Sequence, residues 1–110
     1  IIEEPEQNLY PSTQMSFIDM LVSLCQGKCG HEFLLTTHSP YILNQLNLLV
    51  KRNDVGVRDN GIVSLDWNDV SVWAIENGEI RDLKLRNAHL INPEYLSAPL
   101  DQIYEQYERL

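Results

Sequence analysis

Short apolar runs alternate with segments of helical periodicity in the first half of the chain. Residues 1–2 form the end of one apolar run, and residues 33–37 form a second run bounded by turn residues. Apolar residues recur every three or four positions over 12–25 and again over 41–49. The pattern predicts a strand end, a helix, a strand covered on both faces and a second helix. This βαβα order predicts a parallel sheet with right-handed crossovers.

Turn and capping residues mark the ends of both predicted helices. Pro11 suits the first turn of the first helix, where its missing N–H costs nothing, and Gly27 and Gly30 follow its end. Ser39 can cap the second helix and Pro40 can occupy its first position. The apolar face predicted for the first helix consists of Met15, Ile18, Leu21, Val22 and Cys25, with Phe17 and Leu24 widening it.

The second half has a different pattern. Residues 51–60 are polar and contain glycine, which favours a loop or linker, and residues 62–65 could add a strand. The segments 70–75 and 79–85 flank the Asn-Gly pair at 77–78, a strong signal for a two-residue hairpin turn.

Two units follow from this organisation. We assign residues 1–50 to one lobe of a larger domain and residues 51–110 to a β-hairpin with a helical cap. Pro93 and Pro99 are expected to begin two short helical pieces of that cap. Because the chain opens inside what reads as a buried strand, we expect it to be a fragment of a longer protein.

The charge balance narrows the possible functions. The 110 residues carry 8 basic and 16 acidic side chains, a formal net charge of -8. This argues against an autonomous nucleic-acid binder, although in a fragment it describes only the part present. No apolar run approaches the roughly 20 residues that span a bilayer, so an integral membrane protein is not expected.

The cysteines offer a weak metal motif. Cys25, Cys29 and His31 spell C-x3-C-x-H, which could supply three ligands. A structural zinc site normally has four ligands, and no second pair is present. We therefore expect reduced thiols in a cytoplasmic protein.

The polar residues best placed for binding or catalysis follow the two predicted parallel strands. Glu3 and Glu4 come directly after the first strand, and His38 follows the second. Ligands of open α/β sheets bind beyond the carboxyl ends of the strands. One carboxylate could hold Mg2+ directly or through water, and the other could orient or deprotonate an attacking water. The histidine could donate to a phosphate oxygen.

Other interpretations of these residues remain open. The acidic pair could be a solvated turn at a helix start, and His38 could be a structural hydrogen-bonding residue. A metal-dependent nuclease would combine Glu3 or Glu4 with Asp66 and Asp69. A non-catalytic module could instead bind a partner through the hairpin and terminal helix.

The strings I-I-E-E-P-E-Q-N-L-Y-P and L-L-T-T-H-S-P-Y-I-L, in this order and spacing, resemble the C-terminal half of ABC-type ATPase heads. The resemblance is to the RecF, chromosome-maintenance and overcoming-lysogenization-defect group, often labelled AAA-family ATPases. It covers residues 1–46 and implies an α/β fold, a partial P-loop NTPase sheet. In that family the strand with its acidic pair is the Walker B motif, and the second strand ends in the switch histidine.

The resemblance also implies roles for single residues. Glu3 would be the Mg2+-linked carboxylate, Glu4 the catalytic glutamate and His38 the switch residue that contacts the γ-phosphate. The D-loop, which crosses a head-to-head dimer interface in the family, would be Asn8, Leu9, Tyr10 and Pro11. Glu3 replaces the more usual aspartate, and the D-loop lacks its usual aspartate.

One family motif is missing from these residues. The sequence contains no G-x-x-x-x-G-K-[ST] phosphate-binding loop. The resemblance therefore implies that ATP and Mg2+ bind only together with the N-terminal part of the same head, and that the chain alone is inactive. A homodimer is implied, a DNA or nuclease/effector partner of the full-length protein is possible, and no membrane association is expected.

Overall fold

The two apolar runs of the first half each contribute a short strand, and each strand is followed by a helix. The prediction of a strand over 33–37 that is covered on both faces is wrong in extent and burial, because only Leu35–Thr36 forms a strand and Phe33 and Leu34 are 38% and 63% exposed. The computed structural model describes residues 1–27, 30–57, 61–92, 95 and 98–110, without the side chains of 98–101. Its elements in chain order are β1 (Ile2–Glu3), α1 (Pro11–Cys25), β2 (Leu35–Thr36), α2 (Pro40–Asp54), a 3-10 turn (Trp67–Asp69), β3 (Trp73–Glu76), β4 (Glu79–Asp82), β5 (Lys84–Leu85), β6 (Leu90–Ile91) and α3 (Ala98–Glu108).

Strands β1 and β2 pair in parallel, as the βαβα pattern predicts. Ile2 lies opposite Leu35 and Glu3 lies opposite Thr36. The backbone N–H of Ile2 donates to the carbonyl of Leu34 at 2.8 Å. In the described residues this sheet has two strands, so an α/β fold with a parallel pair is present.

Helix α1 begins at Pro11 as predicted, but its buried face is shifted from the predicted one. Met15 is 38% exposed and Cys25 is also exposed. The buried residues are Gln14, Ile18, Leu21 and Val22. The prediction placed only apolar residues on this face, whereas a buried glutamine occupies one of its positions because it finds polar partners across the α1–α2 contact.

Helix α2 begins with Ser39 as its cap and Pro40 at its first position, as predicted. It continues to Asp54, so the predicted loop over 51–60 is wrong for its first four residues. Leu49 and Val50, directly before this extension, are fully buried and anchor the helix at this point. Lys51 and Arg52 also favour the helix because cations in the last turn interact well with its dipole.

The predicted hairpin is present as β3 and β4. Asn77 and Gly78 have φ values of 51° and 79°, as a tight hairpin turn requires. The expected strand over 62–65 is absent from this described segment, where Leu65 N–H instead donates to the carbonyl of Leu49 at 3.1 Å.

The expected strand over 79–85 is divided at Leu83, whose N–H donates to the carbonyl of Val72 at 3.0 Å. The following strand, β5, turns back to pair with β6, which the sequence pattern did not predict. Of the two helical pieces predicted near the end, the one at Pro99 lies within α3. The one at Pro93 falls outside the described residues.

One buried cluster joins residues from both halves. It contains Ile18, Leu21, Val22, Ile42, Leu43, Leu49, Val50, Leu65, Trp67, Ala74, Leu83 and Ile91. The side-chain amide of Asn47 completes the contact of α2 with β6, since it donates to the carbonyl of Ile91 at 2.9 Å and accepts from the N–H of Ile91 at 2.7 Å. None of the helices in the described ranges has the length and apolar character that crossing a bilayer requires.

Trp67 connects the C-terminal hairpins to α2 through two cation-capable side chains. Lys84 Nζ donates to the carbonyl of Trp67 at 2.7 Å and lies 4.2 Å from the ring centroid. The His89 ring stacks on the indole at 5.0 Å, and its Nδ1 lies 3.3 Å from Asp54 Oδ2. Residues far apart in the chain are thereby fixed around one aromatic side chain.

Leu49→Ala tests the position of the core. We expect it to lower the free energy of unfolding by about 2–5 kcal/mol, because it leaves a cavity at a fully buried position. Denaturant titration of the chain measures this. Leu48→Ala, at a neighbouring position that is 44% exposed, is the matched control and should cost less than about 1 kcal/mol. Equal costs for the two variants would contradict the described helix face.

Candidate functional site

Glu4 and His38 meet at one edge of the parallel pair. Each follows its strand, and the parallel register brings the two loops side by side. His38 Nε2 lies 3.4 Å from Glu4 Oε1. The side chain of His38 is 83% exposed and that of Glu4 is 39% exposed, so both can be reached by a ligand. Two residues separated by more than thirty positions thus form one polar site.

Hydrogen bonds fix both the backbone and the side chain of Glu4. Its backbone N–H donates to the carbonyl of Thr36 at 2.7 Å and to Oγ1 of the same residue at 3.2 Å. Gln7 Nε2 donates to Glu4 Oε2 at 2.8 Å. Glu4 also has a φ of 45°, in the left-handed region that non-glycine residues rarely adopt. Such conformations persist where surrounding contacts impose them, and they cluster at functional sites.

Glu6 connects the acidic loop to the loop that follows β2. Its Oε1 accepts a hydrogen bond from the backbone N–H of His38 at 2.9 Å. Its Oε2 is buried and makes no hydrogen bond within the described part of the chain. Partial burial acts to raise the pKa of Glu6, but the backbone N–H groups of His38 and of Glu6 itself, the Thr37 side chain and the charge of His38 together lower it below its usual value.

Gln14 connects the segment before α1 to the start of α2. Its Nε2 donates to the carbonyl of Leu9 at 3.0 Å, and its Oε1 accepts from the hydroxyl of Ser39. The same hydroxyl accepts from the N–H of Ile42 at 3.4 Å and so caps α2. Gln14 and Ser39 are both buried, which makes this a polar link inside the core.

Glu3 and the segment from Asn8 to Pro11 lie around the same edge. Glu3 ends β1 and its side chain is exposed. Asn8 has a φ of 66°, and the N–H of Leu9 donates to the carbonyl of Glu6 at 3.0 Å, which closes a turn. Tyr10 is 82% exposed at the cap of α1. Asn8, Tyr10 and Pro11 are therefore exposed, and the half-buried Leu9 lies between them, just before the buried face of α1 begins.

The acidic residues of the nuclease interpretation do not form a metal-binding group in the described part of the chain. Asp66 Oδ1 accepts from the N–H of Asn68 at 2.9 Å and caps the 3-10 turn that contains Asp69. Within the described ranges there is no group of three or more His, Cys, Asp or Glu residues that could hold a metal ion. Cys25 is exposed, contrary to its predicted burial, and Cys29 lies outside the described residues.

Sequence reasoning assigned no role to several residues of the site. Glu6, Gln7 and Thr36 contact the site through loop geometry, which periodicity does not encode. Gln14 did carry a signal, because it is a polar residue in the 14, 18, 21, 22 spacing of a buried helix face. Ser39 was predicted as a cap, but its link to Gln14 was not.

Residues 1–43 match the family model described as AAA ATPase domain. No curated protein and no solved structure matches the chain. The matched segment includes β1, α1, β2 and the start of α2, and therefore all of the site residues just described. The match supports a fragment of an AAA-family ATPase, a family that in general uses nucleotide and Mg2+.

Ser39→Ala tests the buried polar link. We expect it to lower the free energy of unfolding by about 1–2 kcal/mol, because it removes the cap of α2 and leaves Gln14 Oε1 without its donor. Denaturant titration measures the loss. Ser71→Ala, at an exposed position, is the control and should stay within about 0.5 kcal/mol of the original chain. The link is contradicted if the two substitutions cost the same.

The lowered pKa of Glu6 predicts a pH dependence. The folded state binds this proton more weakly than the unfolded state, whose carboxyl titrates near 4.5. The stability that Glu6 contributes is therefore fully present above the unfolded pKa and is lost as the pH falls through the folded pKa. We expect the difference in unfolding free energy between the original chain and Glu6→Gln to shrink between about pH 6 and about pH 3, as measured by denaturant titration at each pH. A difference that stays constant over this range would contradict the assignment.

Proposed function

We propose that this chain supplies one half of the ATP hydrolysis site of an ABC-type head, in the RecF, chromosome-maintenance and overcoming-lysogenization-defect group of AAA-family ATPases. The observation that carries the proposal is the contact of Glu4 with His38 at 3.4 Å across the parallel strands. Both residues come from the motifs that resemble this family, and the family match covers both. In this proposal residues 1–50 are the Walker B, D-loop and switch-histidine lobe, and residues 51–110 are its hairpin and helical cap.

Glu4 is the proposed general base. Its carboxylate follows a strand end, is partly exposed and is oriented by Gln7 Nε2. A general base must lie within hydrogen-bond reach of the proton that it removes, and a fixed carboxylate at the mouth of a site can polarise an attacking water. The constrained backbone at φ 45° keeps this side chain at the edge of the sheet.

Glu3 is the proposed Mg2+-linked residue. Its side chain is exposed at the end of β1, and Thr36 with a hydroxyl group lies opposite in the register. Mg2+ retains several waters in proteins and is bound by one or two carboxylates together with substrate phosphates. The exposed carboxylate of Glu3 at the end of β1 is the kind of single ligand that this coordination uses. When bound, the ion would neutralise charge that develops on the phosphate oxygens.

His38 is the proposed contact to the γ-phosphate. Its ring is 83% exposed, and its Nε2 points to the carboxylate of Glu4. An imidazole N–H can donate to a phosphate oxygen. The ring therefore stands between the general base and the place where phosphate would enter.

The proposed D-loop is the exposed turn of Asn8, Leu9, Tyr10 and Pro11. Its exposure suits a segment that contacts a second head in a homodimer. The phosphate-binding loop, which this sequence lacks, would come from the N-terminal part of the same head. The chain alone is then inactive, because its sequence contains no phosphate-binding loop, whose lysine and backbone N–H groups would hold the phosphates. DNA or a nuclease/effector is the proposed partner class of the full-length cytoplasmic protein.

A non-catalytic interaction role for the C-terminal segment is a second candidate. Trp73, Ile75 and Ile80 share one face of the β3–β4 hairpin and are 58%, 78% and 69% exposed. Ile75 and Ile80 lie directly opposite each other in the register. An exposed apolar group of this kind is typical of surfaces that contact another protein. This role is compatible with the ATPase assignment because it uses other residues.

Glu4→Gln tests the ATPase proposal in the complete head, in which these residues follow a phosphate-binding loop. We expect hydrolysis to fall by about 10²–10⁴-fold because the general base is lost, while ATP affinity is retained. Phosphate release and equilibrium binding of ATP measure the two effects.

Glu79→Gln, at an exposed hairpin position, is the matched control and should hydrolyse ATP at the original rate. The proposal is overturned if Glu4→Gln retains that rate as well.

A further inference from the structure

We propose that Glu6 is a positioning residue of this site, one that holds the loop carrying His38 through its backbone N–H. The inference rests on the proposed function and adds to it a residue with a separate role. Glu6 Oε1 accepts from His38 N–H at 2.9 Å, a bond between loops 32 positions apart. In this role Glu6 acts through the position of His38 and does not contact the reacting atoms.

The backbone is the part of His38 that needs to be fixed. Its ring is 83% exposed, and its polar contact with Glu4 is long at 3.4 Å. Packing therefore does little to hold the ring in place. The N–H of His38 is bonded to Glu6, and the next N–H, of Ser39, donates to Thr37 Oγ1 at 3.0 Å. These two hydrogen bonds and the cap of α2 fix the backbone from which the ring projects.

A carboxylate at this position is not explained by packing. Glu6 Oε2 is buried and makes no hydrogen bond within the described part of the chain, which is an unfavourable arrangement for a charged oxygen. Hydrogen bonds to ionised acceptors are roughly twice as strong as neutral ones. The bond from His38 N–H, together with those from Glu6 N–H and the Thr37 side chain, offsets the cost of burying the carboxylate, and it is the one that joins Glu6 to the loop of His38.

The consequence for hydrolysis is a loss in turnover. If Glu6 is truncated, His38 stays in the chain but its loop is released from the acidic loop. A misplacement of about 1 Å can cost about 100-fold in rate. Because Glu6 itself does not touch the nucleotide in this scheme, we expect kcat to fall while KM for ATP stays within about 2-fold.

The experiment compares Glu6→Ala, Glu6→Gln and Glu6→Asp in the complete head. We expect Glu6→Ala to lower kcat by about 10–100-fold. Glu6→Gln keeps an acceptor oxygen at the same reach and should restore most of the rate, whereas Glu6→Asp is one methylene shorter and should restore less. Glu105→Ala, at an exposed position of α3, is the control with unchanged kcat. If Glu6→Ala does not fold, the test is whether the kcat of Glu6→Gln exceeds that of Glu6→Asp.

A double-mutant cycle separates positioning from general stabilisation. In the His38→Ala background, Glu6→Ala should lower kcat by less than about 2-fold, because the residue through which it acts is gone. Full additivity of the two losses would overturn the inference, as would a wild-type kcat for Glu6→Ala or an equal loss in Glu6→Gln and Glu6→Ala.

A spectroscopic measurement keeps this inference distinct from the ATPase proposal. In protein labelled with 15N-histidine, the His38 amide signal is identified by its disappearance in His38→Asn. Glu6→Ala should shift this signal and speed its hydrogen exchange about 10-fold or more, and Glu6→Gln should do so much less. An unchanged signal in Glu6→Ala would refute the positioning role. If Glu4→Gln retains hydrolysis while the amide responds, the ATPase proposal fails and the Glu6–His38 link stands.

Discussion

The parallel pairing of β1 with β2 is the constraint on which the candidate site depends. The strands contain two residues each, yet their register decides which side chains meet beyond their ends. Because both strands end at the same edge, Glu4 and His38 become neighbours. A slip of one residue in this register would move each side chain of the slipped strand to the other face of the sheet and would separate Glu4 from His38.

A ladder this short is not stable by itself, so its register must be fixed by the helices. Helices α1 and α2 pack on each other through Ile18 and Ile42 in the common core. The buried link between Gln14 and Ser39 adds direction to this packing, because a hydrogen bond between two buried side chains is satisfied in one arrangement only. The packing of the two helices thus fixes the position of the loop after β1 relative to the loop after β2.

Periodicity and capping residues predict the order of elements in the first half and the starts of α1 and α2, because both helices form around their own apolar patterns. The extent and burial of β2 could not be predicted, since the apolar run over 33–37 forms a strand only at Leu35–Thr36. The end of α2 and the absence of a strand over 62–65 could not be predicted, since burial of Leu49 and Val50 by distant segments decides both. In the site, Glu4 and His38 could be singled out from the order of strands. Glu6 could not, because its contact with a backbone N–H depends on the path of two loops.

The electrostatics of the site explain why these residues suit half of a nucleotide site. Glu3, Glu4 and Glu6 lie within four positions, and the cation-capable side chain of His38 contacts Glu4. A triphosphate would be repelled by three carboxylates unless other charges compensate. In the proposed head, those charges are Mg2+ and the lysine of a phosphate-binding loop outside these residues. In that proposal nucleotide affinity belongs to the rest of the head, and Glu4 and His38 are the base and the ring that act once the phosphates are held.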